Sequence, residues 1–358
     1  MILTGAHWKI RVHSVSPGAR VAIHNIKKPY LLLIGDMDNP VNAKTALGLR
    51  DWVPQDCIGQ LRFNDKAVNL NLPEMTPQQA AAAGAKTLVV GIAPIGGQLP
   101  ESWHPTLLAA LDAGLDLAAG LHQRLAAIPQ IAERAVLRGR QIHDVRHSDT
   151  QFSVATGKRR PGRRIATVGT DCALGKKYTA LAIAKALTAR GRKADFRATG
   201  QTGILISGRG VAVDAVIADF IAGAAEAISP ANEPDHWDVV EGQGSLFHPA
   251  YAAVTLGLLH GSQPDAMVLC HDPTRKTLNG YPHMPVPSLE QAMPAYLSAA
   301  RLTNPDVHFV GISLNTAGLS DSEAQKILHS TAQSLKLPCV DPIRTGVDAI
   351  VDYLESGS

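Results

Sequence analysis

Residues 165–187 read IATVGTDCALGKKYTALAIAKAL, and this stretch decides the fold. A β-branched apolar run, Ile165–Gly169, has the length of a buried strand. It gives way to a glycine-bounded turn and then to Gly175–Arg190, an Ala- and Leu-rich helix that Gly191 can cap. Strand, glycine turn, Gly-Lys and helix in this order is what a phosphate loop requires. Glycines let the backbone approach an anion, and the N–H groups of the helix start point at it. Lys176 adds a mobile positive charge. The expected cradle is Gly169, Thr170, Asp171, Cys172, Ala173, Leu174, Gly175, Lys176, Lys177, Tyr178 and Thr179.

The loop departs from the commonest phosphate-binding spacing, in which four residues separate the glycines and Ser or Thr follows the lysine. Here five residues separate Gly169 from Gly175, and Lys177 stands where the magnesium-ligating hydroxyl would be. A second ammonium is unfavourable beside Mg²⁺ and favourable beside further phosphate. Thr179 reaches a metal only if the helix register shifts. The loop therefore reads as a grip on phosphates with little or no Mg²⁺ chemistry, and no metal site is expected. Cys172 lies at the coming helix N-terminus, which lowers a thiol pKa, but with no base adjacent in sequence it reads as loop packing.

On either side the chain alternates strands and helices, which argues for α/β units with mostly parallel sheets. Before the loop, Tyr30–Gly35 and Leu88–Ile92 read as strands, and Ala43–Trp52 and Pro105–Leu125 as helices. After it, strands are expected at Lys193–Ala198, Trp237–Val240, Ala266–Cys270, His308–Leu314 and the segment LPCVDP, with helices at Asp214–Glu226, Ser322–Leu335 and Val347–Leu354. Ser153–Arg164 (SVATGKRRPGRR) lacks apolar periodicity and reads as a solvated basic linker. It divides a smaller α/β domain, 1–152, from the phosphate-loop domain, 163–358.

Three further segments end strands and so gather on the ligand-binding edge of a parallel sheet. WDVVEGQGS (237–245) resembles a Walker-B position with Glu241 in place of Asp. It brings Gln243 and Ser245 with it, and His248 follows in SLFHPAY. RATGQTG (197–203) offers Arg197, Thr199, Gln201 and Thr202, and CHDPTRK (270–276) offers His271 and Arg275. Each of these also has a plain structural reading as a strand-end turn or surface residue.

Composition narrows the classes. With 358 residues, 45% hydrophobic and 18% charged, the chain has the make-up of a globular protein of two ordinary domains. A net charge of +3 does not by itself point to nucleic acid. Four scattered cysteines suggest neither a disulfide framework nor a zinc site. MILTGAHWKIRVHSV carries no signal-peptide run, and no stretch has the length of a membrane span. A cytoplasmic protein acting on small molecules, without nucleic-acid or membrane partners, is the expectation.

Taken together, GTDCALGKKYTA, ATGQTGI, EGQGSLFHPAY and LCHDPTR resemble a bacterial and archaeal P-loop family long labelled a domain of unknown function, whose members include a D-glutamate N-acetyltransferase. The resemblance covers essentially the whole chain, including a Rossmann-like N-terminal domain. It implies acetyl transfer from acetyl-CoA to the amine of D-glutamate, and a homo-oligomer. Glu241 or His248 would then be the base, groups around Gln201 and Gln243 the oxyanion donors, and Arg197 and Arg275 the glutamate anchors. The loop is also similar to that of dethiobiotin synthetase, which implies an ATP- and Mg²⁺-dependent ligase or kinase as the alternative. Lys177 opposes that alternative and Glu241 favours it. A phosphate-sensing protein without turnover is a third reading.

Overall fold

The computed structural model describes residues 24–94, 96–147 and 150–356; the N-terminal segment read above for the absence of a signal peptide lies outside them. No helix among these residues is long and apolar enough to cross a membrane. The described chain forms two compact units, one of residues 24–150 and 200–215, the other of 151–199 and 216–356.

The first unit runs β1 (Tyr30–Gly35), α1 (Lys44–Trp52), β2 (Cys57–Arg62), α2 (Pro77–Ala82), β3 (Thr87–Val90), α3 (His104–Asp112), β4 (Asp116–Ala119), α4 (Pro129–Arg138) and β5 (Ile142–Asp144). Its strands pair in parallel in the order β2–β1–β3–β4–β5. Alternate residues of the inner strands, among them Leu31, Leu33, Leu88, Val90 and Leu117, form one core with Trp103, Leu107 and Leu111 around α3. This is the Rossmann-like α/β arrangement.

The single long helix expected over Pro105–Leu125 is three elements. Helix α3 stops at Asp112, Gly114 turns the chain with φ +88°, and DLAA becomes β4, buried at all four positions. A strand covered on both faces is continuously apolar, so periodicity cannot separate it from a buried helix.

In the second unit the order is β6 (Arg163–Gly169), α5 (Lys176–Ala189) and β7 (Ala194–Arg197), after which the chain crosses into the first unit for α6 (Gln201–Ser207). It returns as α7 (Ile221–Ile228), β8 (Trp237–Val240), α8 (Ala252–Ser262), β9 (Ala266–His271), a β10–β11 hairpin (Thr277–Leu278, Tyr281–Pro285) and α9 (Leu289–Arg301). Then come β12 (His308–Leu314), α10 (Asp321–Leu335), β13 (Cys339–Val340) and α11 (Asp348–Glu355). The helix expected at Asp214–Glu226 is two short 3₁₀ turns, Val213–Ala215 and Ala218–Phe220, followed by α7.

The sheet order β13–β12–β9–β6–β8–β7 is parallel throughout. Strand β6 is central, with β9 on one side and β8 on the other. The strand order reverses direction there, which places the loop after β6 at the crevice where parallel sheets bind ligands.

The basic segment before β6 is irregular and mostly exposed, as a linker would be, but two of its arginines are packed rather than solvated. Arg164 is 1% exposed. Its guanidinium donates to the carbonyls of Arg160, Pro161, Gly162, Ser229 and Pro230. Arg160 likewise donates to Ser229 O and Gly261 O. These cations satisfy carbonyls that turn residues leave unpaired at the start of the central strand. Arg164→Ala therefore strips several buried acceptors at once and should lower the unfolding free energy by about 3 kcal/mol. Denaturant titration showing a loss under about 1 kcal/mol would contradict this assignment.

Candidate functional site

The loop after β6 is held by cations on its carbonyl side. Lys176, 6% exposed, donates its Nζ to Asp171 O at 2.8 Å. Arg275, in the connection between β9 and β10, donates to Cys172 O at 2.6 Å and Ala173 O at 3.1 Å. The same guanidinium pairs with the fully buried Asp171 carboxylate, Oδ2 at 2.8 Å. That oxygen also accepts the Asn279 N–H at 2.8 Å, and Oδ1 accepts Cys172 N–H at 2.6 Å.

A trans peptide points its N–H opposite to its C=O. With Cys172 O and Ala173 O turned to Arg275, the N–H groups of Ala173 and Leu174 face the other way. Neither they nor the N–H groups of Gly175 and Lys176 have an acceptor among the described residues. Gly175 caps α5 at φ +108°, a conformation that favours glycine, and Ala173 is left-handed at φ +53° without being one. Such a residue costs on the order of 1 kcal/mol; the Arg275 contact holds it there. The result is a run of backbone donors at a helix N-terminus, suited to an anion.

Thr179 faces the interior. Its hydroxyl is fully buried, donates to Gly175 O at 3.2 Å and lies 2.8 Å from Ser313 Oγ. Lys177 lies 5.3 Å from the Tyr178 ring centroid at the first turn of α5. Burial lowers the pKa of Lys176, so an incoming anion would favour its charged form.

The remaining residues divide sharply. Thr170 Oγ1 meets His271 Nδ1 at 2.8 Å, and burial lowers the His271 pKa, favouring a neutral ring. Glu241, 3% exposed at the end of β8, accepts the Thr199 N–H at 2.9 Å, and Thr199 Oγ1 donates to Glu241 O at 2.6 Å. Gln243 uses its carbonyl to accept Thr255 Oγ1, and buried Ser245 accepts the Phe247 N–H, so both shape the turn after β8.

His248 was expected as a base, but both of its ring nitrogens are engaged. Nδ1 accepts the Ala250 N–H at 3.2 Å, and Nε2 lies 3.0 Å from Asn279 O. Arg197, expected as an anchor, is instead spent on the sheet. It is 9% exposed and pairs with Asp238 at 2.7 Å and Asp195 at 3.2 Å. Arg275, the other expected anchor, clamps the loop. Gln201 and Thr202 belong to the first unit, where Arg146 donates to Gln201 Oε1 at 3.3 Å and Thr202 Oγ1 meets Thr45 Oγ1 at 3.2 Å.

Sequence reasoning missed Tyr296. From α9, its fully buried hydroxyl donates to Gly169 O at 2.7 Å and accepts the Leu246 N–H at 3.2 Å, joining the loop to the turn after β8. Burial pushes this phenol up to about 12. A single tyrosine in an apolar helix carries no signal for that role.

Asp171, Cys172 and His248 bring potential ligand atoms within 4.8 Å of one another. Their oxygens and nitrogens are already committed to Arg275, Asn279 and Ala250. With a guanidinium and the Lys176 ammonium adjacent, the cluster suits an anion-binding loop better than a cation.

Family models match both units: a P-loop domain described as a domain of unknown function (DUF1611_C) over residues 153–351, and a Rossmann-like domain (DUF1611_N) over residues 62–148. A protein of Tritonibacter scottomollicae named D-glutamate N-acetyltransferase is 50% identical over 329 residues, covering 92% of this chain and 99% of that one. One from Pseudoalteromonas sp. with the same name is 47% identical over the same coverage. The crystal structure of a DUF1611 family protein from Anabaena variabilis superposes with a TM-score of 0.84 at 35% identity, over 92% of this chain and 100% of that one.

If Arg275 sets the loop, Arg275→Ala should weaken binding of inorganic pyrophosphate about tenfold, roughly 1.4 kcal/mol. Arg275→Lys should recover only part of this, because lysine lacks the planar fork. Calorimetric affinities equal to wild type in both variants would refute the clamp.

Proposed function

The chain belongs to the DUF1611 family, and from that membership and the geometry of its loop we propose that it is a D-glutamate N-acetyltransferase using acetyl-CoA. The observation that carries the reading is the loop itself: a run of outward N–H groups and a buried lysine, with Lys177 in the hydroxyl position and the Thr179 hydroxyl turned inward. Coenzyme A bears a diphosphate and a 3′-phosphate but undergoes no phosphoryl transfer. A phosphate grip without a metal-ligating hydroxyl suits such a substrate.

In this proposal the D-glutamate nitrogen attacks the thioester carbonyl carbon. The C–N bond forms, the C–S bond breaks, and the coenzyme leaves as its thiol after gaining a proton. The acceptor ammonium must first lose a proton, and Glu241 is the group we assign to take it, held in place by the Thr199 N–H. The role passes to Glu241 because His248 has both nitrogens engaged. A cytoplasmic location, read from the composition and the scattered cysteines, and a homo-oligomeric state, implied by the family resemblance, are part of the same proposal.

A second reading, an ATP-dependent ligase, draws on the Walker-B-like position of Glu241. Incubation with acetyl-CoA and D- or L-glutamate, with ATP and Mg²⁺ in parallel, separates the two. Thiol release that depends on D-glutamate supports acetyl transfer, and ADP release with no thiol would reject it. Glu241→Gln keeps an acceptor for the Thr199 N–H but cannot take a proton. It should lower kcat by about 10²-fold or more while leaving the acetyl-CoA KM near wild type.

A further inference from the structure

The two arginines that the sequence offered for a dicarboxylate are both spent elsewhere, one on the sheet of the second unit and one on the phosphate loop. We propose that the first unit carries the carboxylate-binding site for the amino-acid acceptor, built on Arg146 with Lys44 and His122 at its rim; the identity of the ligand rests on the acetyl transfer proposed above.

Position is the first argument. The strand order of the first sheet reverses between β1 and β3, and ligands of parallel sheets bind beyond the C-terminal strand ends near such a reversal. Lys44 opens α1 after β1, His122 follows β4, and Arg146 follows β5. All three therefore lie at that one edge. The neighbourhood is real in charge as well. His122 is held below its ordinary pKa by burial first, then by Arg146, with His147 and Lys44 adding and Asp214 opposing.

The second argument is the state of Arg146. It is 7% exposed, pairs through Nη2 with Asp214, and reaches Gln201 Oε1 through Nη1 at 3.3 Å. Its Nε is buried and has no acceptor among the described residues; the same holds for His147 Nε2. A buried charged donor left unmatched is costly, and a carboxylate oxygen would satisfy it.

The third argument is how closely these side chains are seated. A Cβ on Gly97 would lie 2.2 Å from the His122 ring, and one on Gly120 would lie 2.4 Å from Gln201 Cβ. His122 and Gln201 thus occupy space that a side chain at either glycine would fill. The Thr45–Thr202 hydroxyl contact ties the head of α1 to α6, which carries Gln201. This is a guanidinium floor with Lys44 and His122 at its rim, and close packing at Gly97 and Gly120 seats His122 and Gln201.

Lys44→Gln and Arg146→Lys, made separately in the full chain, test the assignment. Lys44 is exposed, so its replacement should spare the fold; Arg146→Lys keeps the charge and removes the fork. Initial rates should show the D-glutamate KM raised about tenfold or more in both variants, equivalent to about 1.4 kcal/mol, with the acetyl-CoA KM unchanged. D-glutamate KM values at wild-type level in both variants would overturn the site. Calorimetric titration with glutarate alone separates this from the proposed reaction. Glutarate binding that both variants weaken supports the site even if the wild type transfers no acetyl group, and an absence of glutarate binding in the wild type rejects it.

Discussion

A peptide group cannot turn its carbonyl and its N–H to the same side, and the second unit depends on that constraint. Arg275 and Lys176 take the carbonyls of Asp171, Cys172 and Ala173, and the N–H groups of Ala173 and Leu174 turn away from Arg275 as a consequence. Asp171 makes the arrangement stable by neutralising the guanidinium and by drawing in the Asn279 N–H. Asn279 O in turn lies against His248. Residues that sequence reading treats as separate catalytic prospects are thus one hydrogen-bonded frame around the loop.

The frame explains why charge is distributed as it is. A loop that binds phosphates needs cations, yet cations without acceptors would be costly to bury. Here the buried Lys176 and Arg197 and the half-buried Arg275 have built-in partners: a carbonyl for Lys176, a carboxylate and two carbonyls for Arg275, two carboxylates for Arg197. Hydrogen-bonded burial of this kind favours one geometry over alternatives, and positive potential is left where the backbone donors emerge.

Much of this was legible from the sequence, and for identifiable reasons. The strands Tyr30–Gly35, Trp237–Val240 and His308–Leu314 are bounded by turn residues and strongly apolar, and they occur as read. The phosphate loop was visible because glycine, lysine and helix must follow one another closely in the chain. What escaped detection depends on distant partners. DLAA is a strand only because β3 and β5 flank it. Arg197 looks like an anchor until Asp195 and Asp238 are brought beside it, and Tyr296 is unremarkable until its hydroxyl meets Gly169. The motif ATGQTG reads as one ligand loop, but the chain passes between units within it: Thr199 serves Glu241, while Gln201 serves Arg146.

The central claim is that the loop grips phosphates through backbone donors and lysine rather than through a magnesium ion. Equilibrium binding of coenzyme A and of ATP, each measured in EDTA and again with excess Mg²⁺, tests it most directly. The account predicts coenzyme A affinity that EDTA leaves unchanged and that exceeds the affinity for ATP. Coenzyme A binding that is lost in EDTA, or ATP binding that is tighter and requires Mg²⁺, would contradict it.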